Sequence, residues 1–177
     1  MKTAVIYKSR TGFTKKYALW ISEALSAELF EASYVSAKML EAYDTVIFGG
    51  NLHAVGIDGV KLITRNLLKL KGKRVIVFAV GLSVPDEKIR NEVLNNNFSL
   101  DERERIRFFY FRGGFDRSRL SLTDKILMAL LKKKIENKKR KGLKLADDEK
   151  GMLAIYDKSV DYTSKKSIEP LVAYVKG

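Results

Sequence analysis

Six consecutive residues near the start of the chain follow the pattern Ser-x-Thr-Gly-x-Thr: Ser9, Arg10, Thr11, Gly12, Phe13 and Thr14. They stand between an apolar run, Thr3 to Tyr7, and a segment with helical spacing. At a strand-to-helix turn, three hydroxyls and the first backbone N–H groups of the helix face one spot. The helix dipole adds a positive end, so the chemistry this pattern suits is phosphate binding. Gly12 permits a tight turn, and Lys15 and Lys16 raise the local positive potential. An ordinary helix N-cap needs only one Ser or Thr, so three hydroxyls in six residues favour the phosphate.

Other chemistries lack their residues. The chain has no cysteine, which removes disulfides, thiolate metal sites, iron–sulfur clusters and cysteine nucleophiles. His53 is the sole histidine, so multi-histidine metal sites are excluded, and it is the one side chain whose ordinary titration range lies near neutral pH. No Gly-x-Gly-x-x-Gly follows a strand and no Gly-Lys-Ser/Thr is present, which argues against dinucleotide and nucleoside-triphosphate loops. Tyr7-Lys8-Ser9 has no acid, so a phosphoacceptor cluster after the first strand is absent. No general acid, base or nucleophile stands out.

The elements that must position the phosphate turn follow from the apolar pattern. Thr3–Tyr7, Thr45–Phe48, Val75–Val80 and Arg105–Phe111 are rich in β-branched and aromatic residues and read as strands, with Leu29–Val35 as a weaker fifth. Helical spacing is found at Phe13–Leu25, Val60–Leu70, after Pro85-Asp86-Glu87, at Leu120–Ile135 and at Thr163–Val175, where Pro170 is expected to shorten or kink the helix. Alternating strands and helices imply a five-stranded, doubly wound parallel sheet with helices on both faces. At 177 residues the chain is expected to form one domain, 1–177, with an insertion over about 113–156.

The hydroxyl-rich turn resembles the FMN phosphate loop of the flavodoxin superfamily. Other landmarks of that superfamily follow in order along the chain. Phe48-Gly49-Gly50-Asn51-Leu52-His53-Ala54 stands where its second flavin loop leaves the third strand, and Val80-Gly81-Leu82-Ser83-Val84 where its third leaves the fourth. The resemblance implies FMN as cofactor, electron transfer as function, a redox protein as partner, and the isoalloxazine between these two loops. The cofactor-binding residues it implies are Ser9, Arg10, Thr11, Gly12, Phe13, Thr14, Gly50, Asn51, Leu52, His53, Ala54, Gly81, Leu82 and Ser83. A single-phosphate turn without the pyrophosphate glycine pattern favours FMN over FAD. Electron-carrying flavodoxins hold the flavin between aromatics and are acidic. Here neither loop holds an aromatic between Asn51 and Ala54 or between Leu82 and Val84, and the net charge is +13.

The segment from Arg112-Gly113-Gly114-Phe115-Asp116 through Leu120 to Met128 is similar to the insertion of flavodoxin-domain proteins related to menaquinone-dependent protoporphyrinogen dehydrogenase. That likeness implies a tetrapyrrole or a quinone as redox partner, with protoporphyrinogen dehydrogenase proper as the alternative activity. Haem or another tetrapyrrole is then a possible ligand, and His53 its axial ligand. A different class of function is a flavin-free docking module. Lys132–Lys144 is a basic run that suits an anionic membrane surface, with Ile126, Leu127, Leu130 and Leu131 toward the lipid, and the acids Asp147, Asp148 and Glu149 follow it. Nucleic acid ranks last because no base-reading motif accompanies the charge, and Phe108–Phe111 read as core rather than a stacking platform. No apolar stretch is long enough to span a bilayer and the first residues enter a strand at once, so a cytoplasmic location is expected, peripheral at the inner membrane face if the basic run docks there.

Overall fold

The computed structural model describes the backbone of residues 1–177 and every side chain except those of Asp147 and Asp148, so that part of the acidic run lies outside the described residues. The chain divides into two compact units, Met1–Gly113 with Thr163–Gly177, and Gly114–Tyr162.

The first unit is an α/β sheet. Its strands are β1 (Thr3–Lys8), β2 (Glu28–Glu31), β3 (Thr45–His53), the short β4 (Gly56–Ile57), β5 (Arg74–Gly81) and β6 (Ile106–Arg112). The order β2-β1-β3-β5-β6 is parallel throughout, and β4 pairs antiparallel with the end of β3. This is the doubly wound order that the resemblance implies. Both faces are buried, as near-continuous apolar strands require. Ala4, Ile6, Val46, Phe48, Val77 and Tyr110 point to one core. Val5, Tyr7, Ile47, Ile76, Phe78 and Phe111 point to the other, the period-2 alternation of a strand.

The helices of this unit are α1 (Phe13–Leu25), α2 (Ala37–Leu40), α3 (Lys61–Thr64), α4 (Glu87–Asn97), α5 (Leu100–Arg105) and, after the second unit, α8 (Glu169–Lys176). Helix α1 matches the expected bounds. It ends at Ser26, whose φ of 50° lies in the left-handed region. The Val60–Leu70 pattern yields only the four residues of α3 followed by turns, although Ile63, Leu67 and Leu70 are buried as the pattern requires. The Leu29–Val35 candidate is a strand only over β2, because a 3-10 turn begins at Ala32. Arg105 closes α5 instead of opening β6; α5 starts at a Ser99/Glu102 capping box, a Ser-x-x-Glu signal carried by the sequence. Pro170 falls in the first turn of α8, where its missing N–H costs nothing, so it starts the helix rather than kinking it.

The second unit holds β7 (Gly114–Phe115) and β8 (Val160–Asp161), paired antiparallel, with α6 (Leu122–Arg140) and α7 (Asp147–Ile155) between them. Helix α6 runs five residues beyond the Leu120–Ile135 pattern, through most of the basic run. Its first turn is capped by Ser121, whose Oγ accepts from Asp124 N–H at 3.1 Å. Tyr156 is buried under Lys132 Nζ, 4.2 Å from its ring centroid, and Arg117 at 4.9 Å. Lys138 Nζ lies 2.9 Å from Glu149 Oε2 and, as the largest cause, holds that carboxyl below its usual range. Among the described residues, no helix is long and apolar enough to cross a membrane.

Candidate functional site

The adjacent strands β1, β3 and β5 bring three segments together at their carboxyl ends. The register pairs Lys8 with Gly50 and Asn51 with Val80, so residues 9–14, 51–57 and 81–86 follow one another at neighbouring positions along this end of the sheet. In open parallel sheets this end of the switch point is where ligands bind.

The first segment has the geometry expected of an anion site. Gly12 is the N-cap of α1, at φ 94°, a left-handed conformation that any residue with a Cβ adopts only with strain. No side chain caps the helix; Ser9 Oγ turns back instead, accepting from Gly12 N–H at 3.1 Å. At the start of the helix, Lys16 N–H donates to Gly12 O at 3.0 Å. Thr14 is 1% exposed, and Thr11 is half-buried beside it in sequence. Phe13 is buried and anchors the turn, whereas Arg10 is exposed.

Arg10 ties this turn to the second segment. Its Nε donates to Asp58 Oδ2 at 2.6 Å, and Asn51 Nδ2 donates to the same oxygen at 3.1 Å. Asp58 N–H in turn donates to Asn51 O at 3.0 Å. Asp58 is thus the hub of the second segment, and the sequence reading missed it. An acid one residue before a glycine, seven residues after Asn51, gave no motif to find it by. Asn51 Oδ1 is buried and has no hydrogen-bond partner among the described residues. A buried amide oxygen without a donor is costly, so this atom is suited to accept from a bound group.

The second segment differs from a simple loop. Strand β3 continues through Gly50, Asn51, Leu52 and His53, and the chain turns only at Ala54, whose φ is 53°. Leu52 then pairs with Ile57 and His53 with Gly56. Asn97, at the end of α4, clamps this hairpin: its Oδ1 accepts from Ile57 N–H at 2.8 Å and its Nδ2 donates to Val55 O at 2.7 Å. Gly50 is buried, and a Cβ there would collide with Ile57 and the backbone of Asp58. His53 and Ala54 are exposed at the hairpin tip.

The third segment, Gly81-Leu82-Ser83, is pinned by β6. Gly113 N–H donates to Gly81 O at 2.7 Å, Arg112 Nε to Leu82 O at 3.3 Å, and Tyr110 Oη to Ser83 O at 3.2 Å. Burial, the largest cause, pushes the Tyr110 hydroxyl up to about 12, so it is a neutral donor at all physiological pH values. Gly81 lies against Tyr110 and Leu52: a Cβ there would be 2.5 Å from Tyr110 Oη and 2.9 Å from Leu52 Cδ1. Leu52 and Leu82 are half-buried, and Ser83 is exposed.

Helix α1 is also tied to the end of β6. Tyr17 Oη donates to Arg112 O at 2.8 Å and accepts from Ser164 N–H at 3.1 Å, and its ring stacks on Phe111 at 4.9 Å. The aromatic run of β6 is therefore core, with Phe108, Tyr110 and Phe111 buried. A cleft of about 410 Å³ lies beside β6, lined by Pro85 and Asp86 at the end of the third segment and by Arg90 and Arg107 among others.

The residues present fit a monophosphate flavin. A helix N-terminus without a side-chain cap, two threonines and a glycine in the left-handed region form a cradle for an anion. The partnerless Asn51 Oδ1 offers an acceptor beside it in the sheet register. The held backbone of 81–83 supplies a fixed edge.

Residues 4–141 match the model of the flavodoxin domain. Among solved structures, the chain is similar to a flavodoxin from the domain Archaea at 14% identity, covering 67% of this chain and 89% of that one, with a TM-score of 0.45. It is similar to the two-electron reduced flavodoxin of Megasphaera elsdenii at 18% identity, covering 61% and 84%, TM-score 0.45. It is also similar to oxidised flavodoxin 1 of Bacillus cereus at 18% identity, covering 63% and 84%, TM-score 0.45. No curated protein matches the sequence.

Proposed function

The chain belongs to the flavodoxin-domain family, and we propose that it binds FMN and transfers electrons between redox partners. The observation that carries this reading is the α1 N-terminus, where Gly12 stands as N-cap in place of a capping side chain. In the proposal, Ser9, Thr11 and Thr14 with the first-turn backbone amides hold the phosphate. Arg10 stays fixed through Asp58. The strand end Gly50–His53 and the segment Gly81–Ser83 flank the ring, with Ala54 at the rim. When bound, FMN supplies one- and two-electron redox chemistry. The chain's part is to orient the ring through Asn51 and the backbone of 81–83, and to keep those groups rigid through Tyr110, Arg112 and Asn97.

Titration of the apoprotein with FMN and with FAD tests this reading. A preference for FMN is expected, because the turn has room and donors for one phosphate and lacks the glycine pattern of a pyrophosphate site. Replacing Thr11 and Thr14 together by Val keeps the shape and removes two hydroxyl donors. Each bond lost to a charged group weakens binding by about 1.5–3 kcal/mol. An unchanged FMN affinity in that variant would refute the phosphate assignment.

In this proposal electrons pass to or from an anionic tetrapyrrole or a quinone. The support for the tetrapyrrole is electrostatic: a chain of net charge +13 attracts propionates, and His53 is exposed at the hairpin tip beside the proposed ring. Haem titration followed at the Soret band checks it. Saturable binding that shifts in His53→Ala is expected; binding insensitive to that change removes the axial role, and no saturable change removes the ligand.

A further inference from the structure

Helix α6 carries an apolar surface that the second unit does not cover. Leu122, Ile126, Leu127, Leu130 and Leu131 are 76%, 54%, 50%, 60% and 43% exposed. At 3.6 residues per turn they share roughly half of the helix circumference, and Ile135, which is 2% exposed, lies one turn beyond Leu131, just past the edge of that arc. Single exposed leucines are ordinary, but five long aliphatics on one continuous helical face are not. The same arc continues toward the C-terminus of α6 in Lys133, Lys134 and Lys141, all exposed. Leu143 beyond it is 55% exposed, between Lys141 and Lys144. Residues 122–144 hold nine Lys and Arg against two acids, a net +7.

We propose that this face of α6 docks on an anionic lipid surface, lying in the plane of the interface with the five aliphatics below the headgroups and the lysines among the phosphates. Charge complementarity selects this occupant. A second copy of the chain would set a +7 segment against another, at a like-charge cost. Protein hot spots are dominated by Trp, Tyr and Arg, whereas this face presents only Leu and Ile, the residues that partition into acyl chains without needing a shaped pocket. The long lysine stems let the aliphatics sink while the ammonium groups stay at the phosphates. The proposal stands apart from the cofactor reading, since none of these residues belongs to the flavin segments.

Co-sedimentation of the full chain with vesicles of phosphatidylcholine alone, and of phosphatidylcholine mixed with phosphatidylglycerol, is the test. The protein sediments with the mixed vesicles, not with the neutral ones, and salt releases it. The triple variant I126S/L127S/L130S, checked for unchanged far-ultraviolet circular dichroism, binds at least about tenfold more weakly. K133Q/K134Q/K141Q loses on the order of fivefold per charge. Should the triple serine variant misfold, I126S and L130S singly each give a smaller loss in the same direction. The proposal is overturned by wild-type protein that stays in the supernatant at low salt, or by serine variants that sediment like wild type. Sedimentation equilibrium showing a dimer that these serines dissociate would assign the face to a second copy instead. FMN titration of the triple variant separates the two readings: unchanged flavin affinity with lost vesicle binding leaves the cofactor site intact.

Discussion

Tyr110 shows how one side chain serves both packing and the candidate site. Its ring fills the core beside Phe108, and its hydroxyl reaches Ser83 O. Burial raises its pKa to about 12 against an ordinary value near 10. A raised pKa means that the folded state keeps a proton the unfolded state has lost. The associated stability is complete below pH ~10 and falls as pH rises toward ~12, by about 2–3 kcal/mol. Tyr110→Phe should remove that alkaline loss and cost about 1 kcal/mol at neutral pH from the deleted bond. Urea unfolding at neutral pH and at pH ~11 measures both; equal alkaline losses in the two proteins would contradict the assignment.

At the scale of elements, the β3–β4 hairpin depends on a helix distant in sequence. Its two pairs are too few to hold by themselves. Asn97 supplies what a further strand would, accepting from Ile57 N–H and donating to Val55 O. Asn97→Ala leaves both groups without that partner and should destabilise by about 1–3 kcal/mol. Because Asn51–His53 are the strand half of this hairpin, FMN affinity should fall too. Faster hydrogen exchange at Ile57, with exchange in β1 unchanged, is the expected signature; slow exchange at Ile57 in the variant would show that the clamp is dispensable.

At the scale of the molecule, we propose that the segment between β6 and α8 is an insertion. The first unit resumes at Thr163, and the pairing of Gly114 with Asp161 brings the ends of the second unit side by side. Replacing residues 114–162 by a short glycine-rich turn should therefore leave a folded protein that binds FMN like the full chain. A cooperative thermal transition and an unchanged FMN titration are the expected results. Loss of either would mean that the flavin-binding unit needs the segment and that the boundaries are those of one indivisible domain.

The main strands and the turn that starts α1 were legible in the sequence because both are local signals. A β-branched run between turn residues is a buried strand wherever it lies, and three hydroxyls around Gly12 precede a helix that starts at Phe13, the arrangement on which the proposed phosphate site rests. The basic amphipathic character of α6 was also readable from spacing alone. Long-range contacts were not. Asp58 joins Arg10 across 48 residues, and Asn97 holds Val55 across 42. Polar pairs of this kind leave no periodic trace, since each needs one atom at one place. The extension of β3 to His53 was hidden for the same reason: Gly50 and Asn51 have weak strand propensity, and pairing with β1, β5 and the clamped β4 draws this end into the sheet. Propensity and pattern are summed along the chain, whereas the ends of strands and the partners of buried polar atoms are decided by what tertiary packing brings beside them.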